Sequence, residues 1–544
     1  MLVLAALIPC TWLTLRYSDL PQFGKYQDDG LLVISGKALQ ETGGYRITSF
    51  PGRPFQTKYQ PLYPALLAAV WSADHRFPEN LKLFAALAWA TFAAFLGLSF
   101  AVFRCFGFSL AEAAGMLLLL ALNPWLLYWG LLPISDLPVS VLVLATFWIL
   151  RRHPHEPRWW IAGACVIAAA CLTKSIGILL VPALWAGAWR GREWKRCLVM
   201  TAPAVAAFAG WTAWAKWHRA PLEHPLLWYY TDYVAAHLKN GGLHAIPQIV
   251  SHNIASFLEV AGNSTLYHLA DSMPGRFLSV IILAAAISGS RRLMRKSGAV
   301  EYAVFSLLLV GLLLVWNFSP NVRLLAPVLP MFAMGLCAEA EHAASLVRSS
   351  RQSRKRADRV AARLCVGAAL AGCAYAVAAN ANYLVHGIPQ LLEQDRSAAA
   401  RDREAFAWCK RELPAASVVL ANNDTSFYLH SGLRSLRPVP NSVAFYREDT
   451  AAALENFTHF DQLADVFGVT HIVLTPEDFP DFSPEQREWI RGALLANPRH
   501  KQIHAANGAT ILAIERGYPP VDAGAPASGA LAAGATRLNQ APGQ

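Results

Sequence analysis

Asp28-Asp29-Gly30, directly after the first apolar segment, and Thr57-Lys58-Tyr59-Gln60-Pro61-Leu62-Tyr63-Pro64, about thirty residues on, set an acidic pair and a cation at the edge of a chain that is mostly membrane. An acidic pair at a membrane surface, with a cation close behind it, suggests a reaction site rather than a simple loop. Asp28-Asp29-Gly30 begins a stretch, Leu31 to Leu39, whose apolar residues suit a helix lying on the membrane. Gly43-Gly44 ends that helix, and Tyr45 to Phe50 leads on to Pro51. Lys58 stands in a basic and aromatic turn that leads through prolines into a helix starting near Leu62.

Outward from this stretch, composition points to lipid as the main solvent. Of 544 residues, 55% are hydrophobic and 15% charged, against roughly a quarter charged in soluble domains. About eleven segments approach the roughly 20 apolar residues of a spanning helix: 1–17, 80–103, 110–130, 136–150, 159–173, 175–189, 197–217, 275–290, 300–317, 323–346 and 360–384. The first would reach only about 25 Å. It reads as an anchor helix rather than a cleaved signal peptide, since it has no charged n-region and no small-residue cleavage site.

The net charge is +11, and its basic clusters sit between apolar runs: Arg151-Arg152, Arg190 with Arg192, Lys195 and Arg196, Arg291-Arg292 with Arg295-Lys296, and Arg348 through Arg359. With the N-terminus inside, every cluster lands on the cytoplasmic side. The loops at 18–79, 131–136, 218–274 and 318–322 land on the other. The charge therefore reads as topology. No basic repeat is interleaved with stacking aromatics, so nucleic acid is not an expected partner.

From residue 385 the character changes to that of a soluble domain. Ala400 to Glu412 is an amphipathic helix, Ser417 to Ala421 a short strand, Ala451 to Phe467 a helix, Thr470–Thr475 a strand and Pro484 to Leu495 a helix. His504 to Ile514 is a hairpin turning at Asn507-Gly508. The expected architecture is an α-helical polytopic membrane module over 1–384, with a first outer loop 18–79 and a large outer loop 218–274. A small extracytoplasmic α/β domain over 385–518 follows, then an Ala/Gly/Pro-rich disordered tail over 519–544. The nine cysteines are scattered without a CxxC pair, so neither a zinc site nor a disulfide framework is supported.

Each charged candidate has a plain alternative beside its chemical one. Asp28 or Asp29 could simply cap a helix. Neighbouring helix positions point about 100° apart, so one carboxylate could face a cavity while the other caps or orients its partner. Lys58 either snorkels to the interface or holds a phosphate. Asp136, in Pro133-Ile134-Ser135-Asp136-Leu137-Pro138, is either solvated at the headgroups or lines a cavity with Asp28. Arg323, in Asn321-Val322-Arg323-Leu324-Leu325-Ala326-Pro327, breaks the positive-inside pattern, as an interfacial anchor or as a functional group. Lys174 lies between two apolar runs in Leu172-Thr173-Lys174-Ser175. His224, His237, His252 and His268 show no trustworthy ligand spacing with a carboxylate, so no cofactor is assigned and assistance by a divalent metal stays open.

These residues, in this order, resemble the GT-C superfamily of polytopic glycosyltransferases, in the branch related to dolichyl-phosphate-mannose–protein mannosyltransferase and lipid A aminoarabinose transferase. The shared set is Asp28-Asp29, Gly43-Gly44-Tyr45, Lys58-Tyr59-Gln60-Pro61-Leu62-Tyr63-Pro64, Asp136, Leu172-Thr173-Lys174 and Arg323-Leu324-Leu325-Ala326-Pro327-Val328-Leu329-Pro330. Arg403 to Pro414 and Asn423 to Gly432 extend it, so the resemblance covers most of residues 1–440. Departures are Gln60-Pro61 where two prolines are common, Lys174 where an arginine is, and Asp29 where the mannosyltransferases often have glutamate. They bear on the sugar and acceptor more than on the reaction.

The resemblance implies a hexosyl or pentosyl transferase in a bacterial inner (plasma) membrane, with the N-terminus cytoplasmic and the C-terminal domain periplasmic. It implies a polyprenyl-phosphate sugar donor entering from the membrane lipid, and a protein, lipid or polysaccharide acceptor on the outer face. In a single inverting displacement a base takes the acceptor proton. A lipid phosphate leaves readily, so the carboxylic acid partner of glycosidases is unnecessary and cations are needed instead. The implied roles are Asp28 as base, Asp29 or Asp136 orienting the acceptor, Lys58, Arg323 and Lys174 at the phosphate, and Tyr59 and Tyr63 in the substrate cavity. Two other classes stay open. A lipid-linked-glycan flippase or transporter would place charges at the bilayer midplane, whereas here they gather at the outer edge. A receptor sensing through 385–518 would need far fewer spans.

Overall fold

The computed structural model describes residues 1–220, 224–232, 234, 242–265, 273–296, 299–351, 356–438, 454, 460–480 and 482–515. Contacts divide the chain into two units. Met1–Ile47, Phe55–His218 and Gly241–Ala400 form the first; Thr48–Pro54, Arg219–Asn240 and Arg401–Gln544 form the second. The sheet-bearing unit thus begins at Arg401, sixteen residues past the expected 385, and takes in a piece of the first outer loop.

The first unit is helical. Among the described residues, Leu81–Cys105, Trp194–Trp217 and Gly275–Arg295 are long and apolar enough to cross a membrane, and the pair Leu110–Ala121 and Pro124–Gly130 adds a fourth if it is one span. Such helices mark a membrane protein. They do not match the expected eleven spans one for one, because several expected spans are broken by their own sequence. The stretch 110–130 bends by 64°, where Asn123 Oδ1 accepts the Leu126 N–H at 2.8 Å and Pro124 opens a new helix. The stretch 323–346 is also interrupted. A four-residue helix, Val322–Leu325, is capped by Asn321, and the chain leaves it before Pro327, which has no N–H to continue the ladder. The long helix starts only at Leu329. Segment 1–17 likewise divides into Leu2–Ala6 and Ile8–Arg16, and 175–189 into the 3₁₀ turn Ser175–Leu179 and the helix Leu180–Gly191.

The helix expected after the acidic pair runs Asp28–Thr42. Asp28 and Asp29 in its first turn suit the positive end of its dipole, and Gly43 closes it at φ +66°, a left-handed conformation that glycine takes without a Cβ penalty. Leu31, Leu32, Val33 and Ile34 are all buried, so this turn of the helix is packed on every side. Its partner is the helix Leu62–Ala73. Gly36 permits the contact, since a Cβ there would come within 2.9 Å of both Leu67 Cβ and the Pro64 carbonyl oxygen. Trp71 Nε1 donates to the Val33 carbonyl at 3.0 Å and locks the pair in register.

The second unit is built on a five-stranded sheet: β1 (Val418–Ala421), β2 (Arg434–Leu436), β3 (His471–Leu474), β4 (His500–Ala506) and β5 (Ala509–Ile514), in the order β2-β1-β3-β5-β4. β1 is parallel to β2 and β3, while β5 is antiparallel to β3 and β4. The hairpin turns at Asn507 (φ +51°) and Gly508 (φ +80°), the left-handed pair that an Asn-Gly turn requires. The helix expected over 400–412 is the end of a longer one, Ile388–Glu412. Its Ala405, Phe406 and Cys409 join Val419, Phe427, Val473 and Ile511 in the core. Ser435 N–H donates to the Ser49 carbonyl at 2.9 Å, so Thr48–Pro54 is stitched to the β2 edge. Of the helix expected over 451–467, Phe460–Phe467 is helical; most of the remainder lies outside the described residues, as do His237, His268 and the tail 519–544.

Candidate active site

The site lies in the first unit, where two helices begin on aspartates. Asp28 opens Asp28–Thr42 and Asp136 opens Asp136–Arg152. Arg323, held on the short Val322–Leu325 turn, reaches both. Its Nη2 donates to Asp28 Oδ2 at 2.8 Å, and its Nε is 3.6 Å from Asp136 Oδ2. Lys174 follows the helix Pro157–Thr173 in extended conformation and donates to Asp136 Oδ1 at 2.6 Å. The line of charges is therefore Lys174, Asp136, Arg323, Asp28. From Asp136 onward exposure rises, from 6% for the Asp136 side chain through 13% for Arg323 to 31% for Asp28.

The loop before Leu62 supplies the other side. Tyr59 donates its hydroxyl to Asp28 Oδ1, and Lys58 Nζ lies over the Tyr59 ring, 4.9 Å from its centroid. Two residues hold this turn. Gln56 donates to Ser35 Oγ at 3.0 Å and accepts the Lys58 N–H at 3.2 Å. Tyr45 donates to the Tyr59 and Gln60 carbonyls at 3.0 and 3.2 Å, which gives the tyrosine after Gly43-Gly44 a mechanical task.

Burial pushes the Asp28 carboxyl up, but the Arg323 guanidinium, the Lys58 ammonium and the Tyr59 hydroxyl outweigh it and hold the carboxyl at about 2. Asp29 behaves differently. It is fully buried, its Oδ2 accepts the Gly24 N–H at 2.7 Å, and burial carries it up to about 6. Through that contact Asp29 braces the turn ahead of the helix. Tyr63 also sits behind the site. It is 1% exposed and neighbours Asp136 and Asp29.

An aromatic wall escaped sequence reasoning. Trp129 lies under the Arg323 guanidinium at 5.1 Å, and Tyr26 packs against Trp129 at 4.3 Å. Tyr26 donates to the Tyr128 hydroxyl, and Tyr128 to Asp395 Oδ2, both at 3.1 Å; Lys25 meets Asp395 Oδ1 at 2.9 Å. The one available signal was Trp125, Tyr128 and Trp129, whose spacing puts them on one helical face. Asp395 had none. For a metal, Asp28 and Asp136 are both engaged by cations. Among the described residues, the three metal-type side chains that cluster are Glu112, Cys337 and Glu341, on other elements.

This fold, a helical unit with charges gathered where helices begin and a small mixed sheet built from the C-terminal sequence, is similar to that of solved membrane-enzyme structures. Two solved structures carry the comparison, both of ArnT, a lipid A aminoarabinose transferase, from Cupriavidus metallidurans. The structure bound to undecaprenyl phosphate aligns over 89% of this chain and 93% of that one, at 13% identity and TM-score 0.51. The apo structure aligns over the same shares at 13% identity and TM-score 0.50. The archaeal oligosaccharyltransferase AglB from Archaeoglobus fulgidus, in complex with an inhibitory peptide and a dolichol-phosphate, aligns over 91% of this chain and 71% of that one, at 13% identity and TM-score 0.49. No known family's sequence profile and no curated protein sequence matches the chain. At such identity the likeness is one of fold.

Proposed function

We propose that this protein is a membrane glycosyltransferase, moving a sugar from a polyprenyl-phosphate donor to an acceptor on the outer face of a bacterial inner membrane. The observation that carries the proposal is the Arg323 bridge between Asp28 and Asp136, with Lys174 and Lys58 at its two ends. Three cations face two carboxylates. Two helix N-termini at the same place also favour an anion. The ArnT structure of like fold was solved with a polyprenyl phosphate bound, which agrees with a phosphate as that anion.

The acceptor hydroxyl attacks the anomeric carbon and gives its proton to Asp28. The bond from that carbon to the phosphate oxygen breaks, and the lipid phosphate leaves with the electron pair. Held at about 2 by its partners, Asp28 is a weak base at rest. A donor phosphate that draws Arg323 and Lys58 toward itself removes two of those partners and raises the proton affinity of Asp28. Base strength then depends on the donor being bound. Asp136 keeps Lys174 and orients the site.

The test is transfer from a synthetic polyprenyl-phosphate sugar to a cell-envelope extract by the purified protein. New glycosidic product is expected. Movement of the lipid across the bilayer without product would point to a flippase, and neither outcome to a receptor.

A further inference from the structure

In the second unit β1 and β3 are parallel neighbours, and the chain leaves them toward opposite sides of the sheet, β1 to β2 and β3 to β4 and β5. Diverging loops of this kind leave a crevice beyond the strand ends, the usual ligand position in an open α/β sheet. β1 ends at Ala421 and β3 at Leu474. Asn423 therefore enters from one loop, and Thr475 and Asp478 from the other. Asp402 comes from the helix Ile388–Glu412, on the turn before Ala405 and Phe406 enter the core.

The polar groups here are oxygen acceptors in excess of donors. Asp478 is 5% exposed; its carboxylate accepts the Thr475 N–H at 2.7 Å and the Thr475 hydroxyl at 2.9 Å. Asp402 is 8% exposed and lies beside the Thr475 hydroxyl and the Asn423 amide. Its Oδ1 is nevertheless buried with no hydrogen-bond partner, and so is Asn423 Oδ1. The nearby arginines have their side-chain hydrogen bonds and ion pairs with other groups. Arg491 donates to the Thr475 and Gly508 carbonyls at 2.7 and 2.8 Å, and Arg401 pairs with Glu477. Two buried carboxylates this close call for a counter-charge.

We propose that Asp402, Asn423, Thr475 and Asp478 hold a hard divalent cation of the calcium or magnesium class. Carboxylate, amide and hydroxyl oxygens, with no sulfur or imidazole among them, are the ligands such ions take. The ion ties the Ile388–Glu412 helix to the loops that follow β1 and β3. It is independent of the chemistry at Asp28 and stands whether or not the protein transfers a sugar.

The test uses the purified full-length protein in detergent, stripped with a chelator and followed by thermal unfolding at neutral pH. Calcium chloride or magnesium chloride is titrated into wild type, Asp402→Asn and Asp478→Asn. A saturable rise of several degrees with at least one ion is expected in wild type, and its loss in both variants. Metal-free Asp402→Asn should unfold at a higher temperature than metal-free wild type, because a buried uncompensated charge has gone; this keeps the test decisive even if Asp478→Asn folds poorly. No shift in wild type, or a shift that survives both substitutions, overturns the proposal. So does a shared proton in place of the ion, seen as stability that falls between pH 4 and 7 equally with and without added cation.

Discussion

The guanidinium of Arg323 joins Asp28, 295 positions away in sequence, at 2.8 Å, while its Nε faces Asp136 at 3.6 Å. One side chain thereby clamps the starts of two helices. The clamp is both an electrostatic and a mechanical part of the site, and the two parts separate under substitution.

Arg323→Ala leaves the buried Asp136 and the half-buried Asp28 without the cation between them. Breaking one partner out of a buried pair costs about 3–5 kcal/mol, so unfolding by denaturant should show a loss in that range. Arg323→Lys keeps the charge but loses the fork that spans both carboxylates. It should fold close to normally and bind a polyprenyl phosphate at least about tenfold more weakly, measured by titration with the labelled lipid.

Asp29 offers a pH test. Its folded value is raised from 3.8 to about 6, so the stability it contributes is fully present below the unfolded value and is lost as pH rises through about 6. Asp29→Asn removes the group that charges, and its amide oxygen still accepts the Gly24 N–H. At pH 8 the variant should be the more stable by about 2–3 kcal/mol, with the difference vanishing near pH 4. Transfer should survive, since Asp29 faces the backbone of its own turn. A variant that loses transfer entirely while gaining stability would return Asp29 to the reaction.

Gly36→Ala tests the packing behind Asp28. Its new Cβ meets Leu67 Cβ and the Pro64 carbonyl at 2.9 Å, and overpacking of this kind costs about 1–3 kcal/mol. Separation of the two helices moves Asp28 relative to Tyr59. Transfer should fall further than stability does, read by comparing initial rates with unfolding midpoints.

The sequence carried the members of the site better than their pairing. Asp28, Lys58, Asp136, Lys174 and Arg323 were legible because charges are costly in an apolar chain and these gathered at span edges. Which cation takes which carboxylate depends on helices far apart in sequence. Lys174, expected at a phosphate, is found paired with Asp136, and Asp29 accepts the Gly24 N–H. The helix Asp28–Thr42 was readable from its acidic first turn and its closing glycine, but its burial was not, since that depends on Gly36 meeting Leu67. The broken spans had local signals in Asn123-Pro124 and Pro327, outweighed by hydropathy averaged over longer windows. In the second unit the Asn507-Gly508 hairpin was plain from composition. The three-residue β2 and the capture of Thr48–Pro54 leave no periodic trace.

The central claim is that Asp28 takes the acceptor proton in a sugar transfer that begins on a polyprenyl phosphate. The most direct measurement is transfer from a synthetic polyprenyl-phosphate sugar by purified Asp28→Asn beside wild type, with donor binding measured on the same preparations. Loss of transfer by at least about a hundredfold, with donor binding kept within a few fold, is the predicted result. Undiminished transfer by Asp28→Asn would contradict it.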